Sequence, residues 1–122
     1  MKIYTSYFAK HGRLPAGVVG VSISRFPPHS LEVASIVSLA PSADLLMGYK
    51  YKLVNQEEYT IMYNEQLKEL DPQEVLREIE RATGGKDAAL LCYEKSSDFC
   101  HRHLVAKWLN ENCETDIAEL VL

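Results

Sequence analysis

The sequence predicts an α/β protein, a single-domain sandwich over residues 1–122 with a largely parallel central sheet flanked by helices. Three observations carry that expectation. Short β-branched and aromatic runs fill the first third of the chain. Helical periodicity fills the stretch from 56 to 83. A strand-like run and a further helix then alternate, the pattern of a parallel sheet joined by crossover helices. A chain of 122 residues is one domain by length and builds a core without staples.

Lys2–Phe8 (KIYTSYF) is aromatic and β-branched and reads as a first strand. Lys10–Gly17, with Gly12, Pro15 and Gly17, reads as a loop. Val18–Ser24 (VVGVSIS) reads as a buried second strand. Pro27–Pro28 makes Arg25–Ser30 irregular, because proline cannot donate to a ladder and restricts the residue before it. Val33–Leu39 reads as a third strand. Tyr59, Met62, Tyr63 and Leu67 share one face of a helix over 56–70. Asp71-Pro72-Gln73-Glu74 is a helix start, with Asp as N-cap and Pro at the first position. Val75, Leu76, Ile79 and Ala82 give that helix its apolar face, and Gly84–Gly85 ends it. Ala88–Tyr93 (AALLCY) reads as a central strand. Ser96, Ser97 or Asp98 then caps a helix to Asn112, with Leu104, Val105, Trp108 and Leu109 inward. Ile117–Leu122 reads as a final strand.

Composition excludes several classes. Hydrophobic residues make up 47% and charged residues 25%, which excludes disordered and collagen-like chains. The longest uncharged runs, 14–24 and 33–43, fall short of the ~18 apolar residues of a membrane span. The opening MKIYTSYFAKHGR lacks the apolar core of a secretory signal. A net charge of −4 argues against a general nucleic-acid binder. That figure averages a basic first half, six Lys/Arg against two Asp/Glu in 1–55, with an acidic second half, seven against fifteen. The acidic excess reads as solvated helix faces, and the basic half leaves room for a local anion site. Cys92, Cys100 and Cys113 are odd in number and crowded at one end, which is not a disulfide framework. Unpaired thiols in a reducing, cytoplasmic setting are therefore expected.

Ligands of parallel sheets sit beyond the carboxyl ends of the strands, so the strand–loop–helix at 88–105 is the place to look. Cys92 falls near the strand end, and Cys100, His101 and Arg102 fall in the first turns of the helix. Free N–H groups and a partial positive charge at a helix start favour anions and thiolates. Arg102 adds a planar fork suited to phosphate or carboxylate. Cys100 and His101 precede Leu104 and Val105 by one turn and border the buried stripe. His103 aligns with Lys107 and Asn110 and is expected to face water. Cys92 reads either as a small buried strand residue or as a pocket floor. Cys100 reads as structural, as a reactive thiol or as a metal ligand. Glu94 reads as a solvated loop residue, as a general base, or as a group that orients His101 or Arg102. Cys113 reads as packing. A structural zinc site at Cys92, Cys100 and His101 or His103 is an alternative, although C-x7-C-H-x-H lacks the usual C-x2-C pair.

These residues resemble a known bacterial family, domain of unknown function 488. Its hallmark is a strand ending Leu-Leu-Cys-x-Glu, a short loop, then Cys-His-Arg opening a helix. Here that maps onto Leu90, Leu91, Cys92, Glu94, Cys100, His101 and Arg102. The opening YTSYF is similar to the family's Tyr-Thr start, and Arg25 and Pro28 to its Asp-Val-Arg-x-x-Pro segment. The chain departs at Ile23, where the family usually has Asp. The resemblance implies an α/β fold and a pocket shared by the first strand, the Arg25 loop and the CHR helix. It implies no particular activity.

Other candidates are weaker. Thr5, Ser6, Ser22 and Ser24 lie near strand ends, where a serine is often merely tolerated. Tyr49-Lys50-Tyr51-Lys52 alternates aromatic and basic residues, as a nucleic-acid contact or an exposed strand would. His11 and His29 lie in loops without partner spacing. No P-loop, GxGxxG, HExxH or GxSxG occurs.

The expectation is therefore an anion-seeking pocket for a phosphate-bearing or nucleotide-like ligand. Arg102, Arg25, Cys92 and Thr5 would bind. Cys100 would serve as nucleophile, with His101 or Glu94 as acid or base, if the protein is a thiol-dependent enzyme. No cofactor and, in this reading, no metal are called for. The rival is a non-catalytic nucleic-acid or protein-binding module, with Arg102 paired to a carboxylate and no pocket beside it. The sequence indicates no membrane partner and sets no oligomeric state.

Overall fold

A computed structural model of the chain describes residues 1–95 and 98–122. Five strands form one all-parallel sheet in the order β3-β2-β4-β1-β5. They are β1 (Ile3–Tyr7), β2 (Val18–Ser22), β3 (Ala34–Ser35), β4 (Asp87–Cys92) and β5 (Ala118–Glu119). Four α-helices join them: α1 (Ala43–Lys50), α2 (Gln56–Lys68), α3 (Pro72–Thr83) and α4 (His101–Asn112). β4 occupies the centre, between β2 and β1, and nearly every side chain on it is buried. An apolar strand without polar alternation is what a sheet covered on both faces requires.

The strand period of two splits the core. Ala88 and Leu90 face the larger cluster, with Val21 and Ile23, beneath Tyr63, Leu67, Val75, Ile79, Val105 and Leu109 from the helices. Ala89 and Leu91 face the opposite side, under Phe8, Leu14, Val18 and Leu31. That second face is covered by a 3-10 helix at Phe8–Arg13 and the chain around it. Gly20 permits this close cover, since a Cβ there would stand 2.8 Å from Leu91 Cδ1 and 2.9 Å from His11 Cδ2.

Local sequence explains most element ends. Asn55 and Glu58 form a capping box at the start of α2. The Asp71 side chain accepts from Gln73 N ahead of Pro72 in α3. Gly84, at φ 64°, ends α3 in the left-handed conformation that glycine adopts at least cost.

The structure corrects several expectations. The 33–39 segment pairs over only Ala34–Ser35 and then tightens into a 3-10 turn at Val37–Leu39. The final strand pairs over Ala118–Glu119 alone. The loop expected at 10–17 is in part 3-10 helix. Residues 43–50 form α1, so Tyr49 and Lys50 are helical rather than extended, with Ser42 accepting from Leu45 N as N-cap. Met62 is 47% exposed and lies off the buried face of α2. The N-cap of α4 is Cys100, not Asp98; Ser96 and Ser97, the other expected caps, lie outside the described residues. No helix among the described residues is long and apolar enough to cross a membrane.

Leu90 is fully buried at the centre of the sheet. Leu90→Ala is expected to destabilise the protein by about 2–5 kcal/mol, read as a lower urea midpoint. An unchanged midpoint would place the core elsewhere.

Candidate functional site

Parallel register brings the carboxyl ends of β2, β4 and β1 to one edge. Cys92 ends β4 opposite Tyr7, and Leu91 lies opposite Ser22. The chain then passes through Tyr93 and Glu94 and returns at Cys100 to open α4 over this edge. Cys92, Cys100, His101 and Arg102 of the hallmark therefore meet, but each does something different.

Arg102 is wholly buried. Its Nε and Nη2 donate to the two carboxylate oxygens of Glu119 at 3.0 and 3.1 Å. Its Nη1 donates to Glu94 O at 2.7 Å and to Cys92 Sγ at 2.9 Å. Four of five N–H donors are thus used inside the protein. The Tyr7 ring lies 5.7 Å away, within cation–π range. Arg102 does not line the cavity at this edge, so its expected role in gripping an anion is corrected. A buried guanidinium must be paired, and here the protein itself supplies the pair. Thr5 also turns inward: its hydroxyl donates to Glu119 Oε1 at 2.6 Å. Thr5 steadies the carboxylate and does not face a ligand.

Cys92 and Cys100 are joined as a disulfide, and Cys113 is free. This corrects the expectation of unpaired thiols. The sequence places one cysteine at a strand end and the other at the start of the next helix, but an odd count and crowded spacing do not show that the helix returns over the strand end and brings the two sulfurs together. Cys92 is packed beneath the site and does not line the cavity, so the pocket-floor alternative does not hold.

His101 is 7% exposed, and its Nε2 lies 2.7 Å from Ile23 O. A carbonyl only accepts, so Nε2 carries the hydrogen and Nδ1 presents a lone pair. That lone pair faces Cys100 Sγ at 3.7 Å. Burial pushes the His101 pKa down to about 4; the Ile23 bond opposes this, and the nearby charge of Arg102 adds to it. The ring is neutral at pH 7. The backbone carbonyl of Ile23 thus holds the histidine. His103, expected to face water, is half-buried, and desolvation lowers its pKa, as does Arg102, while Glu119 raises it.

A cavity of about 110 Å³ opens beside this cluster. Ser24, Arg25 and Phe26 line it after β2, Leu46 and Tyr49 from α1, and Tyr59 from α2. Tyr93, Glu94, Phe99, Cys100 and His101 complete it, with Pro41. Tyr49, Tyr59 and Phe99 pack edge to face or tilted at 5.2–5.7 Å. The Tyr59 pKa is raised, chiefly by burial and then by the charge of Glu94, so its hydroxyl stays protonated. Arg25 donates Nε to Pro41 O at 2.9 Å, and no other hydrogen bond of its guanidinium is found among the described residues. The cavity thus contains Arg25, Glu94, Cys100 and His101 of the expected residues, and leaves out Cys92, Arg102 and Thr5.

The Cys92 and Cys100 sulfurs and a ring nitrogen of His101 lie within 4.8 Å of one another. These are the ligands of the zinc alternative. Zinc takes thiolates, so that reading belongs to the reduced pair and not to the bonded one.

Sequence reasoning missed Glu119 and the aromatic wall. Glu119 did leave a signal, as the single acid in the apolar run Ile117–Leu122. The aromatic residues come from four separate segments, and only the packing of α1 and α2 assembles them.

Fold and site together define a small α/β protein with an all-parallel sheet and a sulfur–histidine–arginine cluster at its carboxyl edge. Residues 9–113 match the model of DUF488-N3a, described as the active DUF488-N3 subclade, and the chain belongs to that family. No curated protein and no solved structure matches the chain.

Because His101 is held neutral in the fold but takes up a proton when unfolded, stability is full above pH 6.5. It is lost as the pH falls from about 6.5 towards 4, by about 3 kcal/mol if the whole shift is expressed. Urea midpoints at pH 7 and pH 4.5 should differ less in His101→Asn than in the unaltered protein. Equal differences would show that His101 is not the group responsible.

Proposed function

We propose that the cavity binds a small, flat, ring-bearing molecule with an anionic group, such as a nucleotide. The observation that carries this reading is the pairing of an aromatic wall with Arg25 in one cleft. Phe26, Tyr49, Tyr59, Tyr93 and Phe99 offer ring faces and edges, and the Nη groups of the Arg25 guanidinium have no hydrogen-bond partner among the described residues. Ligand sites of this kind are mostly apolar, with a few placed polar groups. Arg25 alone takes the anion, since Arg102 is committed to Glu119. Glu94, an exposed carboxylate on the cavity wall, is the group placed to exchange a proton with a bound ligand. His101 cannot do so freely, because one nitrogen holds Ile23 O and the other faces Cys100. Nucleophilic attack by the sulfur of Cys100 requires the thiol state, in which Nδ1 of His101 would accept its proton. The subclade's description as active is in keeping with such a cleft.

The rival binding-module reading draws support from the Arg102–Glu119 pair, but the cleft beside Cys100 and His101 counts against it. Tyr49 is also packed into the aromatic wall, which leaves only Lys50, Tyr51 and Lys52 as an exposed patch.

Quenching of tyrosine fluorescence by AMP, phenyl phosphate and adenosine tests the proposal. The two phosphates should bind better than adenosine. Arg25→Ala should weaken the phosphates about 10- to 100-fold, the loss of a charged hydrogen bond of about 1.5–3 kcal/mol, and leave adenosine unchanged. Equal binding of all three, or no effect of Arg25→Ala on the phosphates, would refute the anion role.

A further inference from the structure

The two sulfurs of the Cys92–Cys100 bond stand in different surroundings. Cys100 borders the cleft, and its sulfur faces the Nδ1 lone pair of His101 at 3.7 Å. Cys92 is fully buried, does not border the cleft, and accepts Nη1–H of Arg102 at 2.9 Å. Thiol–disulfide exchange is directional: the accessible sulfur is attacked, and the sulfur better able to hold negative charge leaves. Both residues are buried, Cys100 at 3% exposed, but only Cys100 borders the cleft, so it is the one of the two that an incoming thiol reaches. The guanidinium selects Cys92 as leaving group, because a positive donor beside a sulfur stabilises its thiolate. The two criteria agree, although they rest on different residues.

We propose that Cys92–Cys100 is a redox-active disulfide that exchanges with a low-molecular-weight thiol entering through the cleft. This inference stands on the surroundings of the sulfurs and does not depend on which ring-bearing ligand the cleft takes. In the first step the incoming thiolate forms a bond to Cys100 Sγ. The Cys92–Cys100 bond breaks, and its electron pair goes to Cys92, whose thiolate rests against Arg102. In the second step another thiolate attacks the outer sulfur of the mixed disulfide. The small-molecule disulfide departs, and Cys100 leaves as a thiolate and takes up a proton. Two small thiols are oxidised and one protein disulfide is reduced, a transfer of two electrons. Of the two protons the small thiols give up, one ends on Cys100, whose S–H faces His101 Nδ1, and the other passes to solvent. The reverse sequence reoxidises the pair with the small-molecule disulfide.

The test is exposure of the whole protein to glutathione, followed by acid quench and peptide mass spectrometry. Cys113, the half-buried free cysteine at the far end of α4, reports that the reagent is active when oxidised glutathione is used. The expected result is a glutathione adduct on Cys100 and none on Cys92. Cys92→Ser should hold that adduct in near-stoichiometric yield with oxidised glutathione, because the resolving thiol is gone. Cys100→Ser should leave Cys92 at least tenfold slower to react. An adduct first on Cys92 overturns the proposal, as does a pre-reduced 92–100 pair that oxidised glutathione leaves unreacted where it modifies Cys113. Should either variant fail to fold, the site of the adduct in the unaltered chain still decides.

Discussion

The carboxyl edge of the sheet is organised by one buried charge. Taking a guanidinium out of water costs several kcal/mol unless its donors are met, and Arg102 is fully buried. Its partners belong to different parts of the fold: Glu119 to β5, Cys92 to β4, and Glu94 O to the segment leaving β4. Thr5 of β1 holds Glu119 from the other side, and Leu120 N donates to Thr5 O to close that corner. One side chain from the first turn of α4 thus fixes where three strands end relative to the helix. The pair adds a side-chain tie to the two-residue β5, which is also held by its ladder to β1 and by Asn110, whose side chain bonds Ile117 N and O.

Satisfying Arg102 internally changes what the rest of the site can do. The positive charge turns towards protein, and Arg25 becomes the cation of the cleft. The same geometry brings a donor to Cys92 and leaves Cys100 at the border of the cleft, so that two cysteines in one bond stand in different surroundings. His101 follows the same logic. Its Nε2–H is used by Ile23 O, burial keeps it neutral, and its remaining lone pair has only the sulfur side to face. The family hallmark Cys-x-Glu with Cys-His-Arg therefore contains two residues buried away from the cleft, Cys92 and Arg102, and three, Glu94, Cys100 and His101, that line it.

Much of this was legible in the sequence where the signal is local. The strands at 3–7, 18–22 and 87–92 follow from β-branched and apolar runs, and α2 and α3 from helical period and caps. α1 was hidden because the uncharged 33–43 run looks extended and Tyr49–Lys52 alternates like a strand, although Ser42 was a usable cap. At the site, the convergence of Glu94, Cys100, His101 and Arg25 was legible from the rule that ligands sit beyond strand ends. What was not legible depends on pairing across the fold. Arg102 and Glu119 lie 17 positions apart on different elements, and a fork suited to phosphate is equally suited to a carboxylate of the chain itself. The disulfide was missed for the same reason: sequence spacing carries no register.

The central claim is that the Arg102–Glu119 pair holds the carboxyl edge together. A double-mutant cycle with Arg102→Met and Glu119→Leu tests it most directly, read as unfolding free energy in urea. The account predicts that Glu119→Leu costs about 3–5 kcal/mol, because it leaves the buried Arg102 without its partner, that Arg102→Met costs less, because Glu119 is partly exposed, and that the double change costs much less than their sum. Additive losses, or a Glu119→Leu change that costs less than about 1 kcal/mol as exposed pairs do, would contradict it.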